Sequence, residues 1–206
     1  MIDVYTANTP NGVKVTIALE ELGQPYKLNI LNLSEQDQKK DAFLKINPNG
    51  RIPAIVDRDG ANGKPIRVFE SGAILLYLAE KFNDLLPLDP ALRIDAIAWT
   101  YFQTGGIGPM MGQAGYFKRN FPEFQPAFDR FNTESQRLVG VMETALSKSP
   151  FLSGDEFSIA DIMHIGWIDR APAYFGFDMS AFPSVVDWHA RVMARDGVKR
   201  GLSVLT

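Results

Sequence analysis

The chain has 206 residues, 46% of them hydrophobic and 22% charged, with a formal net charge of -3. That balance suits a folded globular protein of one large or two small domains, and it lacks the basic face of a nucleic-acid binder. With no cysteine and only two histidines, His164 and His189, neither a disulfide framework nor a transition-metal site is expected, and a cytoplasmic location is the default.

Met1-Ile2-Asp3 lacks the basic start and apolar core of a signal peptide. Ile2 to Thr6 reads as a short strand, followed by the turn Thr9-Pro10-Asn11-Gly12. Val15, Ala18, Leu19 and Leu22 then fall at helical spacing, with Gly23 as the stop. Tyr26, Leu28 and Ile30 alternate with polar residues, as in a second strand. "DAFLKINP" predicts a brief helix halted by Pro48. "RIPAIVD" and "PIRVFE" flank the turn-rich "RDGANGK" and predict a hairpin, and a helix opening near Ser71 carries Ala73 to Phe82. The apolar run within it, Ala73 to Ala79, is far short of the ~18 residues of a membrane span. The order β-α-β-α-β-β-α implies a parallel pair with a right-handed crossover plus an antiparallel edge, hence a mixed four-stranded sheet.

"NDLLPLDP", residues 83–90, reads as a linker. Beyond it the pattern is helical: Arg93 to Phe102, Pro126 to Leu146, Ser158 onward, and Val185 to Arg195. In "SIAD", Ser158 and Asp161 form a capping box at a helix start. The expected organisation is an α/β domain over 1–82, the linker over 83–90 and an all-α domain over 91–206.

This order, with the strings "TPNG", "NPNGRIPAI", "FESGAILLYLAEK", "GGIGPMMGQ" and "FLSGDEFSIADI", resembles the cytosolic glutathione transferases over essentially the whole chain. "TPNG" with "GGIGPM" resembles in particular the Nu-class, disulfide-reductase-like members. The resemblance implies a thioredoxin-like first domain, glutathione in reduced or disulfide form as co-substrate, a small apolar or disulfide second substrate, and a homodimer. The reaction implied is glutathione-dependent disulfide reduction, with conjugation or peroxidase chemistry on the side. A non-catalytic binding or regulatory module on the same fold is the rival, and it predicts a degraded sulfur-activating corner.

The family's functional positions carry over residue by residue. "RIP" places a cis bond between Ile52 and Pro53, leaving the Ile52 backbone to pair with the cysteinyl part of the ligand. Glu70 and Ser71, at a helix start, take the γ-glutamyl group. Gln38, Asn49 and Arg51 lie where relatives approach the two ends of glutathione, although each reads equally as a solvated loop residue. Arg130 is either a cross-dimer contact to glutathione or one more charge on a helix face. Where redox relatives carry Cys-Pro-X-Cys, Thr9 and Gly12 replace the two cysteines. The ligand must then supply the sulfur, and Thr9 and Asn11 are the donors that would activate its thiolate. One or two donors at ~1.5–3 kcal/mol each match the ~2.7 kcal/mol needed to lower a thiol pKa by two units. Tyr5 reads as a packing residue. The glycines of "QTGGIGPMMGQAGYF" admit two explanations, a second-substrate cleft walled by Met110, Met111, Tyr116, Phe117 and Tyr174, or tight helix packing at a dimer interface.

Overall fold

The computed structural model describes residues 1–60 and 63–205. Two compact units emerge, one formed by Met1–Leu85 together with the segment from Arg195 onward, the other by Leu86–Ala194. The last dozen residues, expected in the helical domain, therefore pack with the first unit.

In the first unit the elements run β1 (Ile2–Thr6), α1 (Val13–Glu21), β2 (Tyr26–Ile30), α2 (Asp41–Leu44), β3 (Ala54–Asp57), β4 (Ile66–Phe69) and α3 (Ser71–Phe82), and α9 (Asp196–Ser203) joins them from the C-terminus. Among the described residues the strands form a four-stranded mixed sheet in the order β2-β1-β3-β4. β1 runs parallel to β2, β3 antiparallel to β1, and β4 antiparallel to β3. This is the thioredoxin-like arrangement expected, with the hairpin as its antiparallel edge. Ala61 and Asn62 of the hairpin turn lie outside the described residues.

Strand register decides what meets at the sheet's end. Ala54, the first residue of β3, pairs with Tyr5 near the end of β1 and with Phe69 at the end of β4. The Thr-Pro-Asn-Gly corner, the Ile52–Pro53 bond and the Glu70–Ser71 turn therefore leave the sheet side by side.

α1 departs from its expected one-sided stripe. Every residue from Val13 to Leu19 is buried, Lys14 and Thr16 included. One face packs toward the interior with Ile74, Leu75 and Leu78 of α3, all fully buried, and α9 covers another. The close approach rests on two glycines. A Cβ on Gly201 would stand 2.5 Å from the Ile17 Cα, and one on Gly197 2.6 Å from the Glu21 carboxyl carbon. The Thr16 hydroxyl donates to the Gly201 carbonyl at 2.6 Å, while Arg195 grips Glu21 with two nitrogens at 3.1 and 2.7 Å. A helix so clamped is a firm base for whatever its N-terminus presents.

The second unit contains α4 (Pro90–Phe102), a π-helical turn over Gln103–Ile107, α5 (Gly108–Asn120), α6 (Gln125–Leu146), α7 (Ile159–Phe175) and α8 (Pro183–Met193). α4 starts earlier than its apolar pattern because Asp89 caps it, accepting from the Ala91 and Leu92 N–H groups at 2.8 and 3.0 Å. The capping box is present: the Ser158 N–H donates to Asp161 at 3.0 Å, and the Ser158 hydroxyl accepts from the Ala160 N–H at 3.2 Å. Asp161 does more than close the box. It also accepts from the Leu152 N–H at 3.1 Å and from the Trp188 indole N–H at 2.7 Å, tying the loop before α7 to α8. Burial pushes its carboxyl up to about 6 even against these donors.

Candidate functional site

The site is built where the sheet hands the chain to α1 and α3. Gly12 lies hard against β1's exit: a Cβ there would fall 2.0 Å from the Ala7 carbonyl oxygen and 2.6 Å from the Thr6 hydroxyl. The place of a resolving cysteine is thus closed to any side chain, not merely empty of sulfur. Gly12→Ala should lower stability by ~1–3 kcal/mol or more through overpacking, read as a drop in the thermal midpoint. An unchanged midpoint would mean the corner can open where the geometry says it is shut.

Thr9 caps this turn. Its hydroxyl accepts from the Gly12 N–H at 2.9 Å, and its carbonyl accepts from the Val13 N–H at 3.1 Å. Accepting a bond leaves the hydroxyl's own hydrogen as a donor. Asn11, half-buried, turns its amide oxygen to the Lys14 ammonium, which donates to it at 2.9 Å. The same ammonium donates to the Ser71 hydroxyl at 3.3 Å. Lys14 is wholly buried, and burial draws its pKa down to about 7 although the nearby Glu70 carboxylate works the other way. Asn11 and Ser71, named from separate motifs 60 residues apart, are in this way bridged by one side chain. The sequence reading missed Lys14, since one basic residue in a helix pattern reads as solvated.

Glu70 is exposed and precedes α3 with a φ of 70°. A non-glycine residue in that region stores backbone strain, which clusters at ligand sites. The Ile52–Pro53 bond is cis, as expected. The loop leading to it is organised by Asn47, a second residue the sequence reading passed over. Asn47 is buried; its amide donates to the Arg51 carbonyl at 2.6 Å and its oxygen accepts from the Asn49 N–H at 3.0 Å. The side chains of Asn49 and Arg51 are left exposed. Gln38 lies next to this loop, its backbone carbonyl 3.0 Å from where a Gly50 Cβ would be. The Gln38 side-chain oxygen is buried without a hydrogen-bond partner among the described residues. Tyr5 packs its ring 6.1 Å from that of Phe43, the packing role expected of it.

In the helical unit the glycines find a structural use. A Cβ on Gly115 would strike the Tyr174 ring at 1.9 Å, and one on Gly112 would reach the Trp167 ring at 3.3 Å. α5 thus offers a glycine face on which aromatic rings of α7 lie, so the close packing is within the chain. Tyr174 is held there, with the Arg119 guanidinium 4.2 Å from its ring centre and bonded to its hydroxyl. Met111 is fully buried and is corrected from cleft wall to core, because its side of α5 faces the interior. Met110 does face a groove of about 660 Å³, and Arg130, Phe131 and Glu134 line the same groove. Phe117 stacks on Phe131 at 5.7 Å, and Tyr116 meets Phe117 edge-on at 5.5 Å, but neither of the two lines that groove.

A family model for the glutathione S-transferase N-terminal domain matches residues 9–81, and one for the C-terminal domain matches residues 107–196. The disulfide-bond oxidoreductase YfcG of Escherichia coli strain K12 is 42% identical over 204 residues, which cover 98% of this chain and 94% of that protein. A glutathione transferase structure from Burkholderia graminis, with two glutathione molecules bound per subunit, is 44% identical at a TM-score of 0.94, covering 98% of this chain and 87% of its own. Another, from Pseudomonas putida with one glutathione disulfide per subunit, is 39% identical at a TM-score of 0.94, covering 100% and 92%.

Proposed function

The chain belongs to the glutathione transferase family, and on that premise we propose that it reduces disulfide bonds with glutathione as the reductant. The observation that carries this is the corner at the head of α1. It holds no sulfur, cannot accept one at Gly12, and yet keeps a hydrogen-bonded turn leading into α1 and a fixed amide beside it. Similar structures bind two glutathiones or one glutathione disulfide, the reduced and oxidised forms of the same pair of molecules. A disulfide-reducing site must accommodate both.

In the reaction, one glutathione thiolate attacks a substrate disulfide, forming a mixed disulfide and releasing one substrate thiolate. A second glutathione thiolate attacks the glutathione sulfur of that mixed disulfide. Glutathione disulfide and the second substrate thiolate leave, each thiolate taking up a proton. Two electrons pass from glutathione to substrate and every sulfur is exogenous. Thr9 and Asn11 donate to the attacking thiolate. Glu70 binds the ligand's ammonium, Ser71 its γ-glutamyl carboxylate, and the Ile52 backbone its cysteinyl amide. Gln38, Asn49 and Arg51 serve the remaining polar ends.

The groove of Met110 and Arg130 suits a small apolar or disulfide co-substrate. In a homodimer, Arg130 would offer its guanidinium to the partner subunit's glutathione, for which its exposure leaves it available. The cytoplasm is the compartment that keeps glutathione reduced. Conjugation of electrophiles and peroxide reduction draw on the same activated thiolate.

Glutathione-dependent reduction of hydroxyethyl disulfide, followed by formation of glutathione disulfide, tests the reading. Turnover well above the uncatalysed exchange is expected. Binding of glutathione with no catalysed exchange would leave a binding module in place of an enzyme.

A further inference from the structure

We infer that Lys14 is a positioning residue whose buried ammonium sets the orientation of both Asn11 and Ser71 toward the ligand. The inference rests on the proposed glutathione site and goes beyond it by naming what holds that site in its working form. An ammonium is a donor only. With Lys14 donating to Asn11 Oδ1 at 2.9 Å, the amide is held with its oxygen inward, and its Nδ2 becomes the limb on the opposite side. A flipped amide would turn two donors against a cation. Lys14 likewise donates to the Ser71 oxygen at 3.3 Å, so that hydroxyl must spend its own hydrogen elsewhere, which suits an incoming carboxylate. A neutral amine at the same place could accept as well as donate, and would tolerate either orientation of both groups.

The surroundings explain why this cation is poised to respond to a ligand. Burial lowers its pKa to about 7, and the opposing charge facing it is Glu70. Charged groups on the packed elements are engaged elsewhere: Glu20 with Arg200 of α9, Glu21 with Arg195 just before α9, Lys199 with Asp196 within α9, Lys81 of α3 with Asp57, and Asp3 of β1 with Arg58. A ligand carboxylate arriving at Ser71 adds negative charge beside the ammonium and favours its charged form. Binding near pH 8 therefore takes up a proton at Lys14. The sign for stability follows from a folded-state pKa of about 7 against 10.5 unfolded. The fold gains stability as pH rises from about 7 toward 10.5, and below 7 the buried charge is a standing cost.

The test uses calorimetry with S-methylglutathione, whose blocked sulfur has no proton to release, in buffers of differing ionisation heat at pH 8. Wild type is expected to take up a substantial fraction of one proton on binding. Lys14→Met, which keeps the length and packing, should keep only the uptake that the ligand's own amine makes at Glu70, and bind at least ~10-fold more weakly, a loss of ~1.4 kcal/mol. Its thermal midpoint below pH 7 should equal or exceed that of wild type, an outcome a merely structural lysine would not produce. Equal proton uptake in wild type and Lys14→Met, with affinity unchanged in the variant, overturns the role of Lys14 and leaves the glutathione site standing. No binding to wild type at all removes the site itself, and this inference with it. A Lys14→Met protein that fails to fold counts against the inference, since it assigns the lysine's purpose to the fold. Lys14→Gln, which retains a neutral donor, should fold and recover part of the affinity without restoring the proton uptake.

Discussion

Asn11→Ala should lower disulfide-reductase turnover ~50-fold near pH 6.5, which is what two units of thiol pKa, about 2.7 kcal/mol, are worth where the assisted thiol is half ionised. The reason is that an unassisted thiol, with a pKa of about 8.5, is about 99% protonated there. Asn11 is the donor best placed to change that, because the Lys14 ammonium fixes its amide at 2.9 Å. Raising the pH to about 9 should restore turnover to within a few-fold, since the thiol then ionises by itself. Thr9→Ala should cost less in turnover and more in stability. Its oxygen already accepts from the Gly12 N–H at 2.9 Å, and losing such a cap costs about 1 kcal/mol. Tyr5→Phe should be nearly silent, as the ring packs on Phe43. Steady-state rates across pH 6 to 9 decide the matter. Loss of turnover in Tyr5→Phe, beside an unaltered pH profile in Asn11→Ala, would place sulfur activation elsewhere.

Asp161→Ala is expected to have the largest effect on folding. The carboxylate accepts from the Ser158 and Leu152 N–H groups and from the Trp188 indole, all buried. An unsatisfied buried donor costs ~1–3 kcal/mol, so three stranded together should remove on the order of 4 kcal/mol. That is a large share of the 5–15 kcal/mol that holds a typical domain. The thermal midpoint and the near-ultraviolet dichroism of Trp188 report it directly. Asp161→Asn keeps one acceptor oxygen and should fall between the two. A loss under ~1 kcal/mol in Asp161→Ala would mean water replaces the carboxylate, and that the aspartate serves only as a local cap.

Much of the first unit was legible in the chain itself. Strands at Ile2–Thr6 and Tyr26–Ile30 and the hairpin strands after Pro53 follow from alternation and turn residues, which are local signals. The Ser158–Asp161 box was legible because both partners lie within one helical turn. Thr9, Asn11, Glu70 and Ser71 were visible through their motifs, and the register of β1, β3 and β4 brings those motifs to one end of the sheet.

Other features depend on contacts between residues far apart in the chain, which leave no periodic trace. α5 was missed because its glycines and proline read as interruptions. Tyr174 and Trp167 lie against those glycines and make the helix possible. α9 was missed because its glycines gain meaning only against Ile17 and Glu21, about 180 residues away. The burial of Lys14 was hidden for the same reason. A lysine in a helix pattern is ordinarily solvated, and only the packing of α1 against α3 and α9 takes its ammonium out of water. The sequence alone determined the local elements, their caps and the residue types able to meet a glutathione. The tertiary structure decided which of those residues meet, through the register of the strands and the close approach that glycine permits.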